Sequence, residues 1–144
     1  MEPQVISFRL EGTSDPDAVR KALAAAAPRS VVQAFRAKGP CNAFYLEMIA
    51  AQTLRAVGTP NLLARKPEVD LLLRLAGTTQ ISRAIAEVGA RKGQPFMVTM
   101  AGPTTTGSRL SLRRIGGTRL KRSKLTPGEL DRIEAAALLN VSRA

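Results

Sequence analysis

The stretch Pro67-Glu68-Val69-Asp70-Leu71-Leu72-Leu73-Arg74-Leu75-Ala76-Gly77, the joint Thr78-Thr79-Gln80 and the run Ile81-Ser82-Arg83-Ala84-Ile85-Ala86-Glu87-Val88-Gly89 decide how this chain is organised. They read as two helices. Pro67 and Glu68 suit a first turn, and Gly77 is the residue that tolerates a left-handed helix end. Val69, Leu72, Leu73 and Ala76 follow the i, i+3, i+4, i+7 spacing, and Leu71 and Leu75 add a second stripe, which predicts protein on both sides of the first helix. The second helix restarts after Thr78 or Thr79, each an acceptable N-cap, and Ile81, Ile85 and Val88 share one face. Two readings of the joint stand side by side. The threonines and Gln80 act as caps, or the helix N-terminus offers its unpaired N–H groups to an anion such as a phosphate.

Working outward, residues 4–10 alternate, with Ile6, Phe8 and Leu10 opposite Ser7 and Arg9, as in a half-buried strand. Asp15-Pro16-Asp17 supplies a cap, a proline at the first helical position and a first-turn acid for an amphipathic helix that runs to Pro28. A second strand-like run covers residues 30–36. A long helix follows from about 41 to 57, where Ala43, Leu46, Ala50, Leu54 and Val57 form one stripe and Phe44, Met48 and Ala51 another. A helix this apolar is central, so Cys41 and Met48 read as packing groups. Residues 90–93 turn the chain into residues 95–101, the clearest strand. A loop over 102–108 imitates a phosphate loop in its glycine spacing but lacks the lysine such a loop needs. From Arg109 to Lys124 there are seven basic residues and no acid, with strand or short helix left open. Thr126-Pro127-Gly128-Glu129 has capping-box spacing and starts a closing helix with Leu130, Ile133, Ala137 and Val141.

These elements predict an α+β fold: a single domain over residues 1–144, with a mostly antiparallel sheet packed against helices, a long central helix and a C-terminal helix. At this length a domain buries about 70% of its unfolded-chain surface without disulfides or metals. Aromatic residues make up only 3% and there is no Trp, so Leu, Ile, Val and Ala must form the core. One cysteine excludes an intrachain disulfide, and the absence of histidine removes Ser-His-Asp, Cys-His and His-zinc chemistry. The few carboxylates, Asp15, Asp17, Asp70 and Asp131 among them, form no evident dyad and read as solvated surface. No catalytic residue, metal or cofactor is therefore expected. The N-terminus lacks a signal-like pattern and no run reaches 18 apolar residues, which predicts a cytoplasmic protein with no membrane partner.

The net charge of +11 draws polyanions, nucleic acid first. Arg113, Arg114, Lys121 and Arg122 are candidate phosphate contacts. Without interleaved aromatics the run predicts backbone contact rather than base stacking. Thr78, Thr79, Gln80 and Arg83 are candidates for a shaped contact at the helix joint. The closing helix and the helix pair carry more apolar surface than a small domain needs, which predicts a partner interface that includes Leu138 or Leu139.

The order strand, helix, strand, long helix, then residues 72–89, a short gap and a strand resembles the small kinase-binding subunit of the KEOPS complex, the TPRKB-like family. Gln80-Ile81-Ser82 with Ala84-Ile85 and Val88-Gly89 carries the likeness. Ala50-Ala51, Lys124-Leu125-Thr126, Leu130, Ile133 and Ala137 extend it over nearly the whole chain. Members are α+β and non-enzymatic. The resemblance implies a subunit that binds the small atypical kinase/ATPase of KEOPS and the 3′ CCA end of tRNA, supporting threonylcarbamoylation of the adenosine next to the anticodon. Thr79 stands where many members have a basic residue, and the segment 102–124 is shorter and more basic than the family's. A free-standing basic RNA-binding or ribosome-associated protein is the alternative from composition alone.

Overall fold

In the computed structural model, which describes residues 4–37, 41–103 and 112–143, three strands form the body of one sheet. They are β1 (Gln4–Leu10), β2 (Val31–Arg36) and β3 (Phe96–Gly102); a two-residue strand, β4 (Thr118–Arg119), completes the order β2-β3-β1-β4. β3 is antiparallel to both neighbours, so β1 and β2 run parallel with β3 inserted between them. A parallel pair needs a crossover, and α1 (Pro16–Ala26) supplies it. Asp15 caps α1 by accepting from the Asp17 amide at 3.1 Å, as its sequence predicts.

The two faces of the sheet bury different sets. Ile6, Phe8, Leu10, Val32, Ala34, Phe96, Val98 and Met100 pack toward Leu23 of α1 and Leu112. Val31, Phe35, Met97 and Ala101 pack toward α2 (Ala43–Ala56), α3 (Pro67–Ala76), α4 (Ile81–Val88), α5 (Pro127–Ala137) and α6 (Leu139–Arg143). Every residue of β3 is therefore buried. Covering both faces also corrects the half-buried reading of β1. Ser7 is only 4% exposed, and its hydroxyl is satisfied by the Thr99 hydroxyl directly opposite at 2.9 Å. The α+β domain expected from the sequence is the fold observed.

α3 carries a second correction. Asp70 is not solvated: it is 0% exposed. It accepts from the Thr53 hydroxyl at 2.6 Å, the Leu63 amide at 2.9 Å and the Arg74 guanidinium at 2.7 and 3.2 Å. Arg74 in turn donates to the carbonyls of Ala136 at 3.1 Å and Asn61 at 3.3 Å. One ion pair so ties α2, the loop before α3, and α5 to α3. A buried carboxylate is tolerated because its lone pairs are all occupied, the guanidinium among their partners. Leu71, Leu72 and Leu73 are buried around the same helix, as the doubled stripe predicts.

Leu112 begins a short helical turn over 112–114, so the open choice at Ile115 resolves to a helical turn followed by β4. The remainder of the loop that imitates a phosphate site, from residue 104, and Arg109 lie outside the described residues. No helix among the described residues is long and apolar enough to cross a membrane.

Candidate functional site

The joint between α3 and α4 is built by one glycine. Gly77 adopts φ 72°, ψ 32°, a left-handed conformation that a side chain would strain, and it donates to the Leu73 carbonyl at 2.8 Å. Thr78 donates to the same carbonyl at 3.2 Å, and its hydroxyl accepts from the Gln80 amide at 3.1 Å. The chain is thereby turned into α4 with Gln80, not a threonine, at the N-cap. Gln80 makes no side-chain cap bond. Neither Thr78 nor Thr79 is the cap that the sequence suggests, and among the described residues no side chain accepts from the first-turn amides of α4. Such an end holds partial positive charge and free donors.

Arg83 lies in that first turn. Its Nε donates to Glu87 Oε1 at 2.9 Å in an exposed ion pair. Ile81 and Ile85 do share a face, but that face is 49% and 55% exposed; α4 meets the core through Ala84, fully buried, and through the partly buried Val88. The two isoleucines line a groove of about 330 Å³ with Val69, Leu72, Gln33 and Ala34, along the β2 edge of the sheet.

The basic run lies elsewhere. Arg113 and Arg114 are exposed on the turn at Leu112, on the α1 side of the sheet. β4 then pairs with Phe8 and Arg9, and residues 120–124 cross to the N-terminus of α2, where Ala43 donates to the Lys121 carbonyl at 3.0 Å. Asn42 caps α2 by accepting from the Phe44 amide at 3.0 Å, and the same oxygen accepts from Ser123 at 2.9 Å. Arg122 is held by Glu47 and lies over the Phe44 ring, 4.3 Å from its centroid. An aromatic therefore does meet the run, from a helix 78 positions earlier, which no local pattern in 109–124 could reveal. Arg113, Arg114, Lys121 and Lys124 pair with no acid among the described residues.

The eight candidate RNA contacts thus divide. Thr78, Thr79, Gln80 and Arg83 belong to the joint and first turn of α4, a helix that reaches the edge strand β2 at Gly89, whereas Arg113, Arg114, Lys121 and Arg122 wrap the β4 edge. Strand steps of about 4.8 Å put the two edges some 14 Å apart across the sheet. On the joint's side stand two arginines that the sequence reading passed over, Arg36 and Arg91, which converge on the last turn of α4.

The predicted partner residues divide as well. Leu138 is 56% exposed, while Leu139 is 9% exposed and belongs to the core, so only the first is free to meet a partner. Cys41 is half-buried beside α2, and burial first, then the nearby Glu129 charge, pushes its thiol up to about 11, which suits packing and not nucleophilic chemistry. No group of three or more potential metal ligands gathers among the described residues. In comparison with known proteins, no family model matches the chain and no curated protein is detectably similar to it.

Proposed function

We propose that this chain is a non-catalytic adaptor of a tRNA-modifying assembly, of the kind represented by the small subunit of KEOPS. In this role it holds the 3′ CCA end of tRNA at residues 77–83 and binds a small kinase/ATPase through its C-terminal helices, supporting threonylcarbamoylation by another subunit. The observation that carries the reading is the uncapped N-terminus of α4, turned outward by Gly77 beside Gln80 and Arg83 and bordered by exposed Ile81 and Ile85. A terminal nucleotide offers anionic and flat apolar groups to such a surface.

Gln80→Ala with Arg83→Ala is expected to abolish the preference for intact over CCA-trimmed tRNA. A double variant that folds and still discriminates would overturn the assignment. For the kinase, Leu138→Glu is the informative substitution, because Leu138 is exposed and its loss from a contact does not cost the core. Retained binding by the folded variant would move the interface away from α5 and α6.

The exposed basic run supports a second reading, a free-standing RNA-binding or ribosome-associated protein, since its cations stand at the other edge of the sheet from the joint. Replacing Arg113, Arg114 and Lys121 with Ala should flatten the salt dependence of RNA binding by about two units if all three meet phosphate. Co-purification with ribosomes at low salt, without a kinase, would favour this reading.

A further inference from the structure

Arg36, at the end of β2, and Arg91, in the turn after α4, donate to one atom, the Ala86 carbonyl oxygen, at 3.1 and 3.3 Å. α4 has no basic residue of its own in its last turn, so these two cations meet its carbonyl end. That end carries only about half a negative charge, which leaves two guanidiniums in clear excess. Neither pairs with a carboxylate among the described residues, and Arg36 Nε is buried with no acceptor. A guanidinium pair with donors to spare, and with the one acid of that turn, Glu87, paired to Arg83, is chemically a site for an oxyanion, phosphate above all.

The pair also has a fixed relation to the joint. α4 is 8 residues long, so about 12 Å separates its free N-terminal amides from the two arginines. Between them the exposed Ile81 and Ile85 line the groove, whose lining also holds Asp17, Arg20, Lys66 and Glu68 and includes Gly89, the residue that pairs with Phe35 next to Arg36. Donors, an apolar stretch and a cation pair succeed one another along one helix. A nucleic-acid single strand presents the matching alternation of phosphates and flat bases.

We infer that Arg36 and Arg91 hold an internal phosphodiester of a single RNA strand whose 3′ end lies at residues 77–83. The inference rests on the tRNA-end reading above. It adds a phosphate position, distinct from the terminal nucleotide, that neither the motif nor the basic run supplies.

The test uses the full chain and a five-nucleotide RNA ending in CCA, with one linkage at a time replaced by an uncharged methylphosphonate, and reads affinity by fluorescence anisotropy. One internal linkage should cost wild type about tenfold and cost Arg91→Gln less than twofold, since the lost bond is charge-assisted. Arg91 is exposed on a turn and its glutamine retains a donor for the Ala86 carbonyl, so the variant keeps its fold; Arg36→Gln serves as the second arm once its melting curve matches wild type. If no linkage stands out, or if the loss is the same in Arg91→Gln, the two arginines only cap α4 and the inference is overturned. Equal competition by a hexa-aspartate peptide would assign the pair to an acidic protein segment and overturn it too. If the Gln80 and Arg83 variants keep their 3′-end preference while the linkage effect persists, the fault lies in the tRNA-end reading and not in the phosphate pair.

Discussion

Two consecutive helices each carry an acid and an arginine four residues apart, and the two pairs have opposite fates. In α3 the Asp70–Arg74 pair closes at 2.7 Å with side chains 0% and 4% exposed; in α4 the Arg83–Glu87 pair closes at 2.9 Å with side chains 64% and 43% exposed. Their order differs as well. Asp70 is in the first turn of α3 and Arg74 in the last, aligned with the helix dipole. α4 reverses this, with the cation beside the positive end. The first pair holds helices together. The second leaves a cation and free amides at one helix end, an arrangement that an anion relieves.

The largest expected effect comes from breaking the buried pair. Asp70→Ala leaves Arg74 charged with no anion, and it also removes the acceptor for Thr53 and for the Leu63 amide. A loss of about 3–5 kcal/mol of unfolding free energy is expected, read from the urea midpoint. Joint replacement, Asp70→Leu with Arg74→Met, should recover the part due to the unpaired charge, while the Thr53 hydroxyl and the Leu63 amide still lack their acceptor. A midpoint for Asp70→Ala within about 0.5 kcal/mol of wild type would show that this pair is no more structural than the surface one.

Burial can be probed a second way through Cys41. Its thiol is pushed up to about 11, mainly by desolvation, so the folded state holds that proton more tightly than the unfolded chain does. The sign follows. The contribution is complete below the ordinary thiol range and is lost as pH rises from there toward about 11. Tyr45, raised chiefly by desolvation, adds a loss of the same sign. Stability should fall through this alkaline window, and Cys41→Ala should remove the early part of the fall. An unchanged alkaline limb in Cys41→Ala would mean that the thiol is open to water.

What was legible in the sequence follows the same division between buried and exposed. The doubled apolar stripe of α3, the glycine end, the Asp15 and Thr126 caps and the strand at β3 are local patterns, and each is found where its pattern puts it. Asp70 was illegible because its partners arrive from residues 53 and 63 and because a first-turn acid is ordinarily a solvated one. The stripe on α4 was legible as a stripe but not as a largely exposed one, since only the assembled fold shows that Ala84 and Val88, not Ile81 and Ile85, reach the core. Charge in 109–124 could be counted. Its separation from the joint could not, because that depends on a two-residue strand at the far edge of the sheet. Arg36 and Arg91, 55 positions apart, meet only through the pairing of Phe35 with Gly89.

A smaller effect is expected from the exposed pair. Arg83→Ala should change the unfolding free energy by no more than about 0.5 kcal/mol, since a solvated pair contributes little and this one opposes the dipole. Its RNA-end preference should nevertheless fall. A destabilisation above 1 kcal/mol would mean that Arg83 supports the fold in the way Arg74 does.

The smallest effect, and the sharpest on the comparison, belongs to Glu87→Gln. If Glu87 only neutralises a cation near the joint, removing its charge leaves Arg83 free and raises the local potential, so a CCA-ended RNA should bind about two- to threefold more tightly at low salt. The gain should fade as salt shortens the screening length to about 8 Å at physiological ionic strength. Helix stability should hardly move, because the lost pair is offset by the loss of an acid from the negative end of α4. The opposite sign would be the telling result. Weaker binding in a folded Glu87→Gln variant would mean that the carboxylate orients Arg83 for its ligand, and then the exposed pair is as much a positioning device for the joint as the buried pair is for α3.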